Sequence, residues 1–225
     1  MKRIAIIPIG GSGIRMNNKI PKQFIKINDK TLYIYTLEKF QNNESIDEIV
    51  VVCLNGYQKE VERECKQYGI TKLKKVVLGG QTQLASIFNG ISAIETDLND
   101  DDIVMIHVGN RPNVSQKLIS TCIAKYNEVG ALTTVLPCIE VMVDKENNDI
   151  IPRNNIVRIQ TPQVFSYKDL KEFVLNSEYY IDRGNTVCDL MLSLNKTVEF
   201  IEGEFLNFKI TYPEDLYLFE KIISN

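Results

Sequence analysis

Short apolar runs alternate along the chain with stretches whose apolar residues recur every three or four positions. The runs at 4–9, 49–54, 75–78, 103–107 and 131–136 have strand length and little polar content, the pattern of strands buried on both faces. Between them, Leu32, Thr36, Leu37 and Phe40 share one helical face. Val61, Cys65 and Tyr68 share another, stopped by Gly69. Leu84, Ile87, Phe88, Ile91 and Ile94 make a third face, and Leu118, Cys122, Ile123 and Tyr126 a fourth. Repeated strand–helix–strand units predict an α/β fold, a mostly parallel sheet with helices on both sides. Residues 139–160 break the pattern: they alternate, turn near Glu146–Asp149 and alternate again, as a protruding hairpin or arm does. Helices are expected near 167–176 and 186–194, a strand at 198–201, and a last helix opening at Pro213, with Glu214 and Asp215 in its first turn. The 225 residues read as a single domain, 1–225, that carries the arm.

Two glycine-rich stretches sit where predicted strands end. GGSGIR, residues 10–15, follows the first strand and precedes IPKQF. Glycines let backbone N–H groups converge on a phosphate, and Arg15 and Lys22 would then meet its oxygens, the arginine bidentately and the lysine as a point charge. The spacing matches neither GxxxxGK[ST] nor GxGxxG, which argues against a P-loop enzyme and a dinucleotide-binding domain. VVLGGQTQLASIFNG, residues 76–90, offers a second glycine-permitted approach, with Ser86 early in the following helix. In open α/β sheets ligands bind at the carboxyl ends of the strands, where both stretches lie.

Composition narrows the partners. A net charge of -3 gives no broad attraction for nucleic acid or a membrane surface, and no run approaches the length of a membrane span. The start, MKRIAIIPIGG, has an apolar run too short for a secretory signal. The five cysteines at 53, 65, 122, 138 and 188 lack CxxC spacing and accompany one histidine, so no Cys/His metal site is expected. They read as reduced buried thiols of a cytoplasmic protein. His107, ending an apolar strand, is expected to be structural.

GGSGIRM with IPKQF, GG with S and NG, HVGNRP, RNNIVRIQTPQVF and NFKITYPEDL follow one another in the order that resembles the cytidylyltransferases of the methylerythritol-phosphate and ribitol-phosphate type, over nearly the whole chain. The resemblance implies a Rossmann-like domain, with the 139–160 arm used for homodimerisation. It implies transfer of CMP from CTP to a polyol phosphate, giving a CDP-polyol and pyrophosphate, with Mg2+ held mainly by the triphosphate and no protein metal site. By the same resemblance Arg15, Lys22 and Lys209 are catalytic. Ile9, Gly10, Gly11, Ser12, Gly13, Gly80, Gln81 and Ser86 contact the nucleotide, and Arg111, Arg153 and Thr161 hold the acceptor, Arg153 from the partner's arm. Arg158 lies beside Arg153 and competes for that role.

The departures fall on the acceptor side. Where such enzymes have His-Asp-Ala-Ala-Arg-Pro, this chain has His107-Val108-Gly109-Asn110-Arg111-Pro112. Gln83 stands for an arginine, Glu140-Val141 for Asp-Thr, and Asn185-Thr186-Val187-Cys188-Asp189 for an acidic segment. A smaller or altered acceptor is expected, glycerol phosphate ahead of ribitol phosphate and both ahead of methylerythritol phosphate. The competing expectation is a degenerate homologue that binds nucleotide as a regulatory or scaffold subunit; three retained cations argue against it. A nucleotide-sugar glycosyltransferase would want an Asp-x-Asp motif after a strand, whereas Asp100, Asp101 and Asp102 precede one.

Overall fold

The structure, a computed structural model, describes residues 1–11, 20–180 and 186–224. Strand β1 (Arg3–Ile9) is followed by a small hairpin of β2 (Lys26–Ile27) and β3 (Lys30–Thr31), then by α1 (Leu32–Gln41), β4 (Glu48–Cys53), α2 (Gln58–Gln67) and β5 (Leu73–Leu78). Next come α3 (Gln83–Ser92), β6 (Ile103–Ile106), α4 (Gln116–Val129), β7 (Leu132–Pro137), β8 (Met142–Asp144), β9 (Asp149–Ile151) and β10 (Val157–Ser166). The chain closes with α5 (Tyr167–Leu175), α6 (Ser177–Tyr180), α7 (Val187–Ser193), β11 (Glu199–Glu202) and α8 (Pro213–Ser224). Seven strands form one sheet in the order β11-β7-β10-β6-β1-β4-β5. It is parallel except at β10, which runs antiparallel to both β6 and β7.

The period of two in β1 sorts the core. Ala5, Ile7 and Ile9 face α1, α2 and α4, whereas Ile4 and Ile6 face α3, α5 and α7. All five are at most 3% exposed, as a central parallel strand requires. The four helical faces read from the sequence pack as expected, and Gly69, with φ +67, stops α2. Thr186 caps α7 with a reciprocal capping box to Asp189, while Val187 and Cys188 go into the core. That segment therefore serves packing where an acidic stretch was the comparison.

Two expectations need correction. The arm is shorter than 139–160: only β8 and β9 pair as the isolated hairpin, and residues 157–160 open the central strand β10. The stretch 161–166, left without an element by the hydropathy pattern, is the rest of that strand. Gln160 and Thr161 find side-chain partners inside, whereas Gln163 Nε2 is buried without one. Gln160, Thr161 and Gln163 are 5%, 6% and 1% exposed, and Pro162 falls where the pairing to β7 shifts register.

β1 is flanked by β6 on one side and β4 on the other, so successive crossovers leave in opposite directions there. This is the switch point at which a crevice opens beyond the strand ends.

Candidate active site

A cleft of about 690 Å³ occupies that crevice, lined from the ends of β1, β4, β5 and β6. Into it the fold brings Ile9, Gly10, Gly11, Lys22, Gly80, Gln81, Ser86 and Lys209, residues separated by up to 200 positions in sequence. Ser12, Gly13 and Arg15 lie outside the described residues. Arg111, Arg153 and Thr161 do not line the cleft; the first and last stand directly behind its wall.

Each lining group is held from beneath. Lys22 opens a single 3-10 turn, Lys22–Phe24, and is 8% exposed. Phe24 anchors the turn with its ring edge-on to Tyr33 and tilted against Tyr57, centroids 5.4 and 4.1 Å away. Between them Gln23, 2% exposed, donates its amide to the carbonyls of Ile9 and Gly11, the latter at 2.7 Å. The side chain after Lys22 thus fixes the backbone of the glycine loop. Sequence reading passed over it because its partners are main-chain atoms on another segment; adjacency to Lys22 in IPKQF was the only signal.

Ser86 braces the second glycine stretch. Its Oγ accepts from the Gly80 N–H at 3.1 Å and donates to Thr82 O at 3.0 Å. Gly80 is glycine for packing: a Cβ there would sit 2.2 Å from Ala85 Cβ, so α3 could not start so close. Gly80 also lines the cleft, so the close start of α3 and the open face of this glycine go together.

On the opposite wall, Gly109 stands where the resembling enzymes have alanine, and Ile9 explains it. A Cβ on Gly109 would lie 2.2 Å from Ile9 Cγ2. The larger residue on β1 and the smaller one after β6 fill one volume. Val108, 6% exposed, adds an apolar surface to the cleft where an aspartate was the comparison.

Lys209 rides on the strap between β11 and α8. Asn110 fastens the strap next to it: Asn110 Nδ2 donates to Ile210 O, and Ile210 N–H donates to Asn110 O, both at 2.9 Å. Further back, Asn207 Nδ2 donates to Thr161 O at 2.7 Å, and Asn207 O accepts from Gln160 Nε2 at 3.1 Å and from Arg111 Nη1. The Thr161 hydroxyl is engaged with His107 Nδ1 at 3.1 Å. Burial lowers the Arg111 pKa to about 10, with the charge of Arg158 a second cause. Arg153 Nη1 donates to Ile139 O at 3.0 Å, within the arm.

His107 is fully buried, its Nε2 paired with Arg111 O at 3.0 Å and its ring tilted on Phe40. Burial pushes its pKa down to about 3 from the ordinary 6.5. Between those values the unfolded chain binds a proton that the folded one excludes. Stability is therefore complete above pH 6.5 and falls on acidification toward pH 3, by ~1.4 kcal/mol per pH unit from this group. Chemical denaturation at successive pH values should show a flatter acid limb in His107→Gln, and no wild-type activity inflection near neutrality should trace to this ring.

Asp102, at the opposite end of β6, accepts the Lys2 and Asn99 N–H groups at 2.6 and 2.9 Å, a structural use of the acidic trio. All five cysteines are free and buried, and burial raises four of their thiols, Cys53 and Cys188 to about 11, Cys65 and Cys122 to about 12. No helix among the described residues is long and apolar enough to cross a membrane.

Comparison with known proteins agrees with this geometry. A ribitol-5-phosphate cytidylyltransferase from Lacticaseibacillus paracasei is 37% identical over 224 residues, covering 96% of this chain and 95% of that protein. A 2-C-methyl-D-erythritol 4-phosphate cytidylyltransferase from Clostridium botulinum is 36% identical over 231 residues, covering 99% and 98%. The crystal structure of 4-diphosphocytidyl-2C-methyl-D-erythritol synthase from Anaerococcus prevotii superposes with a TM-score of 0.83 at 23% identity, covering 100% of this chain and 96% of that one, a likeness of fold. The sequence profile of the 2-C-methyl-D-erythritol 4-phosphate cytidylyltransferase (IspD) family matches residues 3–225, and the chain belongs to that family.

Proposed function

We infer that the protein transfers CMP from CTP to a polyol phosphate, releasing pyrophosphate. The observation that carries this is the meeting of Lys22 and Lys209 with both glycine stretches in one cleft at the switch point of the sheet. A phosphate oxygen of the acceptor attacks the α-phosphorus in line. It is already anionic, so the chemistry asks for no general base, which suits a site whose one histidine is buried and neutral. What the chain supplies is orientation and positive charge against the charge that develops on the transferring and departing groups. Arg15 completes this set in the family resemblance. The described lining residues include no carboxylate, so they offer Mg2+ no seat of their own; the ion fits as part of the substrate, carried on the triphosphate oxygens.

Ribitol 5-phosphate is the acceptor we place first. The relatives named for the two acceptors are equally distant, at 37% and 36% identity, so the site must decide. Val108 gives the cleft an apolar face where the usual pattern has an aspartate, and the loss of that carboxylate is what places methylerythritol phosphate last. The name of the Lacticaseibacillus relative moves ribitol ahead of glycerol. The hairpin of β8 and β9, with Val141, Val143 and Ile150 at 64%, 51% and 70% exposure, presents an apolar patch that we assign to homodimerisation. The expected setting is cytoplasmic, with no nucleic acid or membrane partner.

The test is pyrophosphate release from CTP with ribitol 5-phosphate, glycerol 3-phosphate and 2-C-methyl-D-erythritol 4-phosphate. Ribitol 5-phosphate should give the highest kcat/KM. CTP binding without release for any acceptor would instead establish a scaffold subunit.

A further inference from the structure

We propose that Arg158, on the face of β10 shared with Gln160, where Gln160 and Arg111 both donate to Asn207 O, completes the seat for the acceptor's phosphate within the same subunit. This rests on the polyol-phosphate reading above. The strands bring the two together. β10 pairs antiparallel with β6 at Gln163 and Ile106, so its preceding residues run back past the loop that carries Arg111. On its other edge Arg158 is in register with Leu136 of β7, and its Nε donates to Pro137 O at 3.3 Å. That bond fixes the stem of the side chain and leaves the two Nη groups available at an exposed end of the strand.

The pair is electrostatically incomplete. Neither Arg111 nor Arg158 forms an ion pair with any carboxylate among the described residues. Arg111 Nε is buried with no hydrogen-bond partner. Arg158 is near enough for its charge to oppose the ionisation of Arg111. Two like charges, one of them largely desolvated, with no counter-charge between them cost folding free energy that a bound anion recovers. Two forked donors suit a phosphomonoester dianion, which offers three oxygens and more charge than a carboxylate.

The seat lies behind the wall of the cleft, against the strap that carries Lys209 into it. Arg111 donates to Asn207 O, two residues before Lys209 on the strap, so a phosphate held at the arginines lies next to the segment that carries that cation. Arg153 differs: its guanidinium is tied to Ile139 O inside the arm and is solvent-exposed, so it reaches an acceptor only in another copy. Arg158 needs no partner to act.

Initial rates with ribitol 5-phosphate and CTP varied in turn, each against a constant level of the other, decide the matter. Arg158→Ala should raise the acceptor KM by about 10- to 100-fold, the worth of a charged hydrogen bond, with CTP KM within about twofold. Arg158→Lys, which keeps the charge and loses the fork, should fall between. An acceptor KM unchanged in Arg158→Ala, or a CTP KM that rises equally, would overturn the assignment. A wild type that turns over no polyol phosphate would count against the reaction and not the arginines. Thermal shift with inorganic phosphate in the presence of CTP then judges them: stabilisation of wild type lost in Arg158→Ala supports the seat, while equal or absent stabilisation in both refutes it.

Discussion

Lys22→Ala is expected to slow pyrophosphate release by about 100- to 1,000-fold, the cost of removing one preorganised charge-stabilising donor, while CTP affinity falls much less. In the proposed reaction the ground-state triphosphate would meet many groups that line the cleft: both glycine stretches and Lys209 as well as Lys22. Loss of one contact is shared among them. The charge that grows as the α-phosphoryl group transfers is local, and a cation only 8% exposed acts on it through little water. Lys22 is also rigidly placed, since Phe24 and Gln23 lock the turn on which it sits. Lys22→Arg keeps the charge but brings a broader, forked group into a buried position and should recover only part of the rate. Steady-state kinetics beside equilibrium CTP binding separates the two effects. A variant with wild-type turnover would remove Lys22 from the mechanism, and one that loses binding and turnover in equal measure would make it a nucleotide anchor only.

The sheet was legible because its strands are apolar on both faces and its helices carry clean stripes, so periodicity and burial agree. The glycine-lined wall of the cleft was legible for a related reason: glycines at strand ends are costly and seldom cluster without a use. What escaped was everything stabilised by buried polar pairing. β10 carries Gln160, Thr161, Pro162 and Gln163 through the middle of the sheet, and a hydropathy pattern takes such residues for a loop. The partners of Gln160 and Thr161, Glu204 and Asn207 on the strap, are more than 40 positions away. Gln23 and Asn110 were missed likewise, since each reads a backbone carbonyl that sequence does not display. The Ile9–Gly109 pair became interpretable only when the two were seen to share one volume.

That hidden polar layer sets the second large effect. Asn207→Ala is expected to lower stability by about 2 kcal/mol and turnover by about 10- to 100-fold, the latter because a shift near 1 Å in a catalytic group is enough. Asn207 is fully buried; its side-chain amide binds Thr161 O, and its own carbonyl takes hydrogen bonds from Arg111 and Gln160. Alanine keeps the carbonyl but strips the donor, leaving Thr161 O unpaired beside a small void. Asn207 Oδ1 is itself buried without a partner, so its removal offsets part of the loss, and the estimate sits in the middle of the usual range for this reason. Lys209 lies two residues on, and with the Asn207 side-chain tie gone the strap near it keeps the Arg111 and Gln160 bonds to Asn207 O and the Asn110 bonds to Ile210 but loses its anchor on Thr161. Asn207→Asp separates the contributions. It fills the void yet turns a donor into an acceptor facing the Thr161 carbonyl, so it should be at least as damaging as alanine. Melting temperatures and kcat, measured where every variant is folded, check both. If alanine lowered stability but left kcat intact, the strap would hold Lys209 without help from Asn207; if aspartate behaved as wild type, the bond to Thr161 would carry no weight in either.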